Sequence, residues 1–140
     1  MPLILRRRIW LTVMRCGLVV VTTLCAANAG AAKGGFFTAD QADQGHQTFN
    51  NYCAECHRPD LTGTDSAPAL VGKKFLSTWG TQKISDLISF EHQNMPANNP
   101  GGVPTDQLYK ITAYILQKNG FPAGSTPLSA STANRLIKKK

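Results

Sequence analysis

Two cysteines and a histidine carry the first chemical signal in this chain, as Cys53-Ala-Glu-Cys56-His57. Thiols about one helical turn apart can each add across one vinyl group of the same porphyrin. The histidine that follows then projects an imidazole beneath the iron, and the spacing is the c-type haem attachment pattern. A thioredoxin-like dithiol shares the two-residue gap but needs a βαβ setting, and no strand pattern surrounds these residues. A structural zinc site needs four ligands, and no second Cys or His pair stands at finger spacing. The retained reading is one covalent haem c with its iron, bound through Cys53 and Cys56 and ligated by His57.

Such an iron needs a sixth ligand, or an open position if it is to react. The methionines are Met1, Met14 and Met95, and Met95 precedes Pro96 in a loop rich in proline and glycine. A methionine used as core filler sits better inside a helix than before a proline. His/Met is a standard axial pair of electron-transfer haem proteins, so Met95 is preferred. His46, expected on the surface of the first helix, and His92, three residues before Met95, are the rivals.

The elements that must position these groups are helical. Thr38-Ala-Asp-Gln41 reads as a capping box opening a helix over 39–50, with Ala42, Gly45 and Phe49 along one stripe. Pro59, Gly63, Pro68 and Gly72 then punctuate a loop. Shorter helices are expected over 75–79 and 83–90, with a loop over 96–104. Thr105 is expected to cap a second long helix over 106–118, with Leu108, Ile111, Ile115 and Leu116 on one face. Asn119-Gly120 stops that helix through a left-handed turn. Strand alternation and internal repeats are lacking, so the domain is expected to be small and all-α.

The ends of the chain read differently. Arg6, Arg7 and Arg8 precede an apolar stretch over 16–27, and Ala27-Asn28-Ala29 offers small residues where a signal peptidase cuts. A transmembrane span needs about 20 apolar residues, and Arg15 interrupts any attempt to lengthen this one. Residues 1–29 are therefore expected to be a cleaved export signal, with an uncleaved anchor as the alternative and Met14 as a possible true start. Cys16 and Cys25 leave with that signal. A disulfide between the remaining Cys53 and Cys56 would close almost no loop, even in the oxidising compartment that export implies. Residues 30–35 form a small-residue leader, 30–128 the domain, and 129–140 a basic, flexible, solvated tail.

The 140 residues are 42% hydrophobic and 16% charged, which excludes a wholly disordered chain. The formal charge of +7 invites a nucleic-acid or membrane partner, but its placement argues otherwise. Eight of the 15 cations are Arg6, Arg7, Arg8, Arg15, Arg135, Lys138, Lys139 and Lys140, leaving seven against eight acids between the ends. No nucleic-acid partner is expected, and membrane contact is at most peripheral. Partner docking should rest on apolar contact more than on long-range steering.

With these residues in view, the chain resembles the class I c-type cytochromes from about Thr38 to Leu128. The segment Ala67-Pro-Ala-Leu-Val-Gly72 is similar to the family's proline loop. The resemblance implies that the Pro68 carbonyl accepts from His57 Nδ1–H and that Leu70 packs on the haem. Gly45 and Phe49 are similar to the first-helix pair that crosses the last helix, here near Ile111 and Tyr114. Asn94-Met95-Pro96 is similar to the distal-ligand segment. Arg58 departs from the glycine common after the histidine and leaves the local turn open. The stretch 113–124, with Phe75-Leu-Ser-Thr-Trp79 before it, resembles small bacterial cytochromes that accept electrons from quinoprotein dehydrogenases. In that setting Trp79 would give its indole N–H to a haem propionate, or serve only as a packed aromatic.

The resemblance implies a periplasmic one-electron carrier rather than an enzyme, a class I cytochrome c fold packed around the haem. Its partners would be redox proteins, with a dehydrogenase as donor and an oxidase or other respiratory acceptor. Two alternatives stay open: the haem subunit of a dehydrogenase complex, and an open-site haem peroxidase or sensor.

Overall fold

A computed structural model describes residues 34–138. The expected signal segment 1–29, most of the leader, Lys139 and Lys140 lie outside the described residues. Five helices follow one another: α1 (Ala39–Tyr52), α2 (Ala54–His57), α3 (Gly72–Trp79), α4 (Ile84–Asn94) and α5 (Thr105–Lys118). Among the described residues the extended pairing amounts to one isolated antiparallel bridge, Lys83 with Leu136. Apart from that bridge, the regular structure of the described residues is all-α, as expected.

The α1–α5 crossing is the centre of the core, and its apolar stripe was legible at helical spacing. Ala42, Gly45 and Phe49 of α1 are buried, as are Leu108, Ile111, Tyr114 and Ile115 of α5. The Phe49 and Tyr114 rings lie 5.5 Å apart. Gly45 lets the backbones approach so closely that a methyl group there would strike the Lys110 carbonyl. Because that obstacle is backbone and cannot swing aside, Gly45→Ala should cost about 1–3 kcal/mol, the usual penalty of overpacking. Denaturant unfolding measures it, and an unchanged midpoint would contradict the tight crossing.

Helix boundaries differ from the expected ones where caps are made by something other than a side chain. Thr38 caps α1 as expected, accepting from Gln41 N–H at 3.2 Å. Gln41 does not return the bond. Its amide instead clasps Leu128 from both sides, Nε2 donating to Leu128 O at 2.8 Å and Oε1 accepting from Leu128 N–H at 2.7 Å. Thr105 is the first residue of α5 rather than its cap; the cap is Pro104, whose extended backbone (φ −58°, ψ 143°) presents its carbonyl to Gln107 N–H at 2.9 Å. Both α3 and α4 are longer than their sequence patterns suggested.

The larger correction concerns the chain ends. The segment after Leu128, expected as a flexible solvated tail, is packed as far as Ile137. Ala133 and Ile137 are buried in the core, and Ile137 N–H donates to Gln82 O at 2.8 Å. Arg135, counted as a solvated cation, donates from Nη1 to Gly35 O and from Nη2 to Gly34 O, both at 2.7 Å. Its guanidinium also lies 4.3 Å from the centre of the Phe36 ring, a cation–π contact. Gly35 at the end of the leader packs directly on Gly124 and is buried. Among the described residues no helix is long and apolar enough to cross a membrane.

Candidate haem-binding site

The attachment motif lies where α1 gives way to the single turn of α2. Cys53 ends α1 with its N–H donating to Phe49 O at 2.8 Å, and His57 N–H returns to Cys53 O at 2.9 Å. That turn sets Cys53 half-buried, Cys56 exposed and His57 7% exposed. The thiols are not bonded to each other. Burial, with help from Glu91 and Cys56, pushes the Cys53 thiol up to about 12. Among the described residues no three His, Cys, Asp or Glu side chains gather as a metal-binding group.

His57 Nδ1 lies 2.8 Å from Pro68 O. A carbonyl can only accept, so this pairing places the proton on Nδ1 and leaves the Nε2 lone pair for a metal. The loop that brings Pro68 there is tied down throughout. Gly63 N–H donates to His57 O at 3.0 Å, Leu70 N–H to Leu61 O at 2.9 Å, and the Thr64 hydroxyl to Cys56 O at 3.1 Å. A Cβ at Gly63 would run into the backbone of Ala67 to Ala69, so the loop closes only around a glycine. Arg58, the departure from the glycine pattern, keeps the glycine-type turn nonetheless, at φ 63° and ψ 153°. An L side chain in that region is strained by about 1–3 kcal/mol, which the surrounding bonds must hold.

One residue of this assembly escaped the sequence reading. Asn119 was read as a helix stop, yet its buried side chain also braces the proline loop. Its Oδ1 accepts from Gly72 N–H at 2.9 Å, and its Nδ2 donates to Leu70 O at 2.9 Å and Ile115 O at 2.8 Å. An asparagine has the donors and acceptor for such a clamp, but nothing in its sequence neighbourhood names the partners.

Of the remaining candidates, Leu70 and Trp79 join Cys53 against the core, all three partly buried. Trp79 meets Phe90 edge-on at 5.4 Å, and Phe90 and Tyr52 remain 44% and 43% exposed. Met95 is half-buried and caps the C-terminus of α4, its N–H donating to Glu91 O at 2.8 Å. The two rival histidines are placed elsewhere. His46 stacks on Tyr114 at 4.8 Å, on the α1–α5 crossing. His92 is exposed and lines a cleft of about 360 Å³ with Ser85, Ser89, Tyr109 and Ala133, which includes none of the motif residues.

Glu91 was also missed, though the stripe Ile84, Leu87, Ile88 leads to it at helical spacing. It is 7% exposed and accepts from the Thr112 hydroxyl at 2.7 Å. Burial raises its carboxyl to about 8, and the Thr112 bond pulls only partly the other way. Between about 4.5 and 8 the folded chain keeps this proton while the unfolded chain has released it. Stability should therefore fall as pH rises through that window, by at most about 1.4 kcal/mol per unit. Glu91→Gln, which keeps an acceptor for Thr112, should flatten the slope. Urea midpoints at pH 5, 6.5 and 8 check this, and an unchanged slope in the variant would refute it.

The residues of the motif fit a covalently held haem: two unpaired thiols at one-turn spacing, one imidazole with its other nitrogen engaged, and nearby apolar side chains incompletely covered. Comparisons with known proteins bear on this directly. No curated protein matches the sequence. Among solved structures, the sulfane dehydrogenase SoxCD from Paracoccus pantotrophus is similar at 26% identity and a TM-score of 0.46, over 56% of this chain and 43% of that one. This chain thus spans less than half the length of that relative. The family model described as "Cytochrome C oxidase, cbb3-type, subunit III" matches residues 40–115, more than half of the chain and the whole span from α1 through most of α5. The chain therefore belongs to this family of class I c-type cytochromes, and is a haem c electron-transfer domain.

Proposed function

We propose that the protein is an exported, periplasmic one-electron carrier, with His57 and Met95 as the axial ligands and Cys53 and Cys56 as the covalent anchors. A bound haem supplies an iron that cycles between ferrous and ferric states by one electron. The observation that carries the reading is the His57 Nδ1 contact with Pro68 O, 2.8 Å, which fixes the ring so that Nε2 is the ligating atom. Met95 supports the distal role because it ends a helix and has no competing side-chain bond among those described. Leu70 and Trp79 would cover the porphyrin with apolar surface, and Trp79 would reach a propionate. A dehydrogenase of the quinoprotein class is the proposed donor, on the resemblance of 75–79 and 113–124. A respiratory oxidase or similar protein is the proposed acceptor.

The optical spectrum of the purified haem-loaded protein tests this. A six-coordinate, low-spin ferric form with a weak far-red sulfur-to-iron band is expected, and Met95→Ala should abolish the band. A wild-type protein without the band at neutral pH, and a Met95→Ala spectrum identical to it, would refute the ligand assignment. A five-coordinate spectrum would point instead to an open-site peroxidase or sensor. Co-purification with a large dehydrogenase subunit would favour the complex-subunit alternative over the free carrier.

A further inference from the structure

We infer that the C-terminal segment from Ser129 to Lys138 is a strap that positions the distal methionine from the far end of α4, an inference that rests on Met95 being the sixth ligand. Helix α4 has 11 residues, a length that is marginal without good caps. Its first four N–H groups need partners outside the helix ladder. Two find them at home, the cap residue's Lys83 N–H donating to Asp86 Oδ2 at 3.2 Å and Asp86 N–H donating to Lys83 O at 3.1 Å. The two between them do not. Ile84 N–H donates to Arg135 O at 2.9 Å, and Ser85 N–H donates to Ala133 O at 3.0 Å. The strap's own carbonyls therefore cap the helix.

The strap is fixed independently of that cap. Ile137 and Ala133 are buried, Ile137 N–H donates to Gln82 O, and the Arg135 guanidinium holds the Gly34 and Gly35 carbonyls over the Phe36 ring. Arg135 thus links the entry of the domain to the start of α4 with one residue, side chain on one and carbonyl on the other. At the opposite end of α4 stands Met95, bonded into the last turn through Glu91 O. Between the ends the helix contains neither glycine nor proline, so it moves as one piece. Loss of the cap lets α4 tilt as a unit, and Met95 at its far end would then be held less firmly toward the sixth position.

The test uses the haem-loaded protein and the ferric iron's affinity for cyanide, which competes with the methionine. Three variants are compared with wild type: truncation after Leu128, Arg135→Ala, and Ile111→Val as a control that weakens the buried core at α5 while leaving the strap and its bonds to Ile84 and Ser85 unaltered. Apparent affinity scales in direct proportion to the fraction of molecules in which the iron is free, because the apparent dissociation constant is the intrinsic one divided by that fraction. Truncation should raise the affinity about tenfold, the factor that loss of a helix cap commands, and Arg135→Ala should raise it less. In both, the far-red band should melt below the helical unfolding transition, whereas in Ile111→Val the two should shift together. Unchanged cyanide affinity in Arg135→Ala and in any truncated protein that folds would overturn the inference. So would a band that melts together with the helices in every variant. A wild type lacking the band would instead defeat the Met95 reading on which the inference stands.

Discussion

Met95→His should lower the reduction potential of the haem by on the order of 0.1–0.3 V, a fraction of the roughly 0.8 V range that axial ligands control. A thioether sulfur accepts electron density from ferrous iron and donates weakly to ferric iron, so it favours the reduced state. A second imidazole donates more strongly and favours the oxidised state. The side chain at 95 projects from an extended residue at the end of α4 (φ −123°, ψ 146°), a backbone that histidine adopts without strain. Potentiometric titration reads the shift, and the far-red band should vanish with it. His92→Ala serves as the control: His92 lines the cleft beside Ser85 and Tyr109, so its removal should leave the potential unchanged. A large shift in His92→Ala, with none in Met95→His, would reverse the assignment.

Removing both proposed anchors, Cys53→Ala with Cys56→Ala, should give a poorly folded apoprotein. Cys53, Leu70 and Trp79 pack on the main core from its margin, and Phe90 and Tyr52 are each more than two-fifths exposed. A porphyrin covering a few hundred Å² of such apolar surface would contribute on the order of 5–10 kcal/mol at about 25 cal/mol per Å². That is comparable with the whole stability of a domain this size. Circular dichroism of the double variant should show reduced helicity and a broad thermal transition. Native-like helicity with a cooperative transition would contradict the claim that the fold depends on its cofactor.

The parts legible in the sequence are those whose physics is local or periodic. Helices α1 and α5 announce themselves by apolar residues at helical spacing. The attachment motif does so because covalent chemistry fixes the gap between Cys53 and Cys56 and the place of His57. The proline loop was found only through resemblance, and the His57–Pro68 contact is the geometry it implied. The strap was missed for a different reason. Its segment is rich in serine, threonine and alanine, and it is held by its own backbone carbonyls and one arginine. Backbone acceptors look alike at every position, so composition alone reads such a segment as solvent-bound. Gln41 and Asn119 mislead in a related way: each has a familiar local use, in a capping box and a helix stop, and each spends its amide on a partner far along the chain. Arg58 was correctly marked as a departure, but the turn persists because neighbouring bonds outweigh its strain.

The grip of Arg135 on the Gly34 and Gly35 carbonyls also fixes where the polypeptide enters and leaves. The first described residues thus sit against Arg135, three residues before the last described one, an arrangement of neighbouring termini that favours circular permutation. A short flexible linker from the far side of Lys138 back to Gly34 would close the domain into a ring without disturbing the α1–α5 crossing. An affinity tag or surface tether joined at Gly34 would start beside the Arg135 side chain.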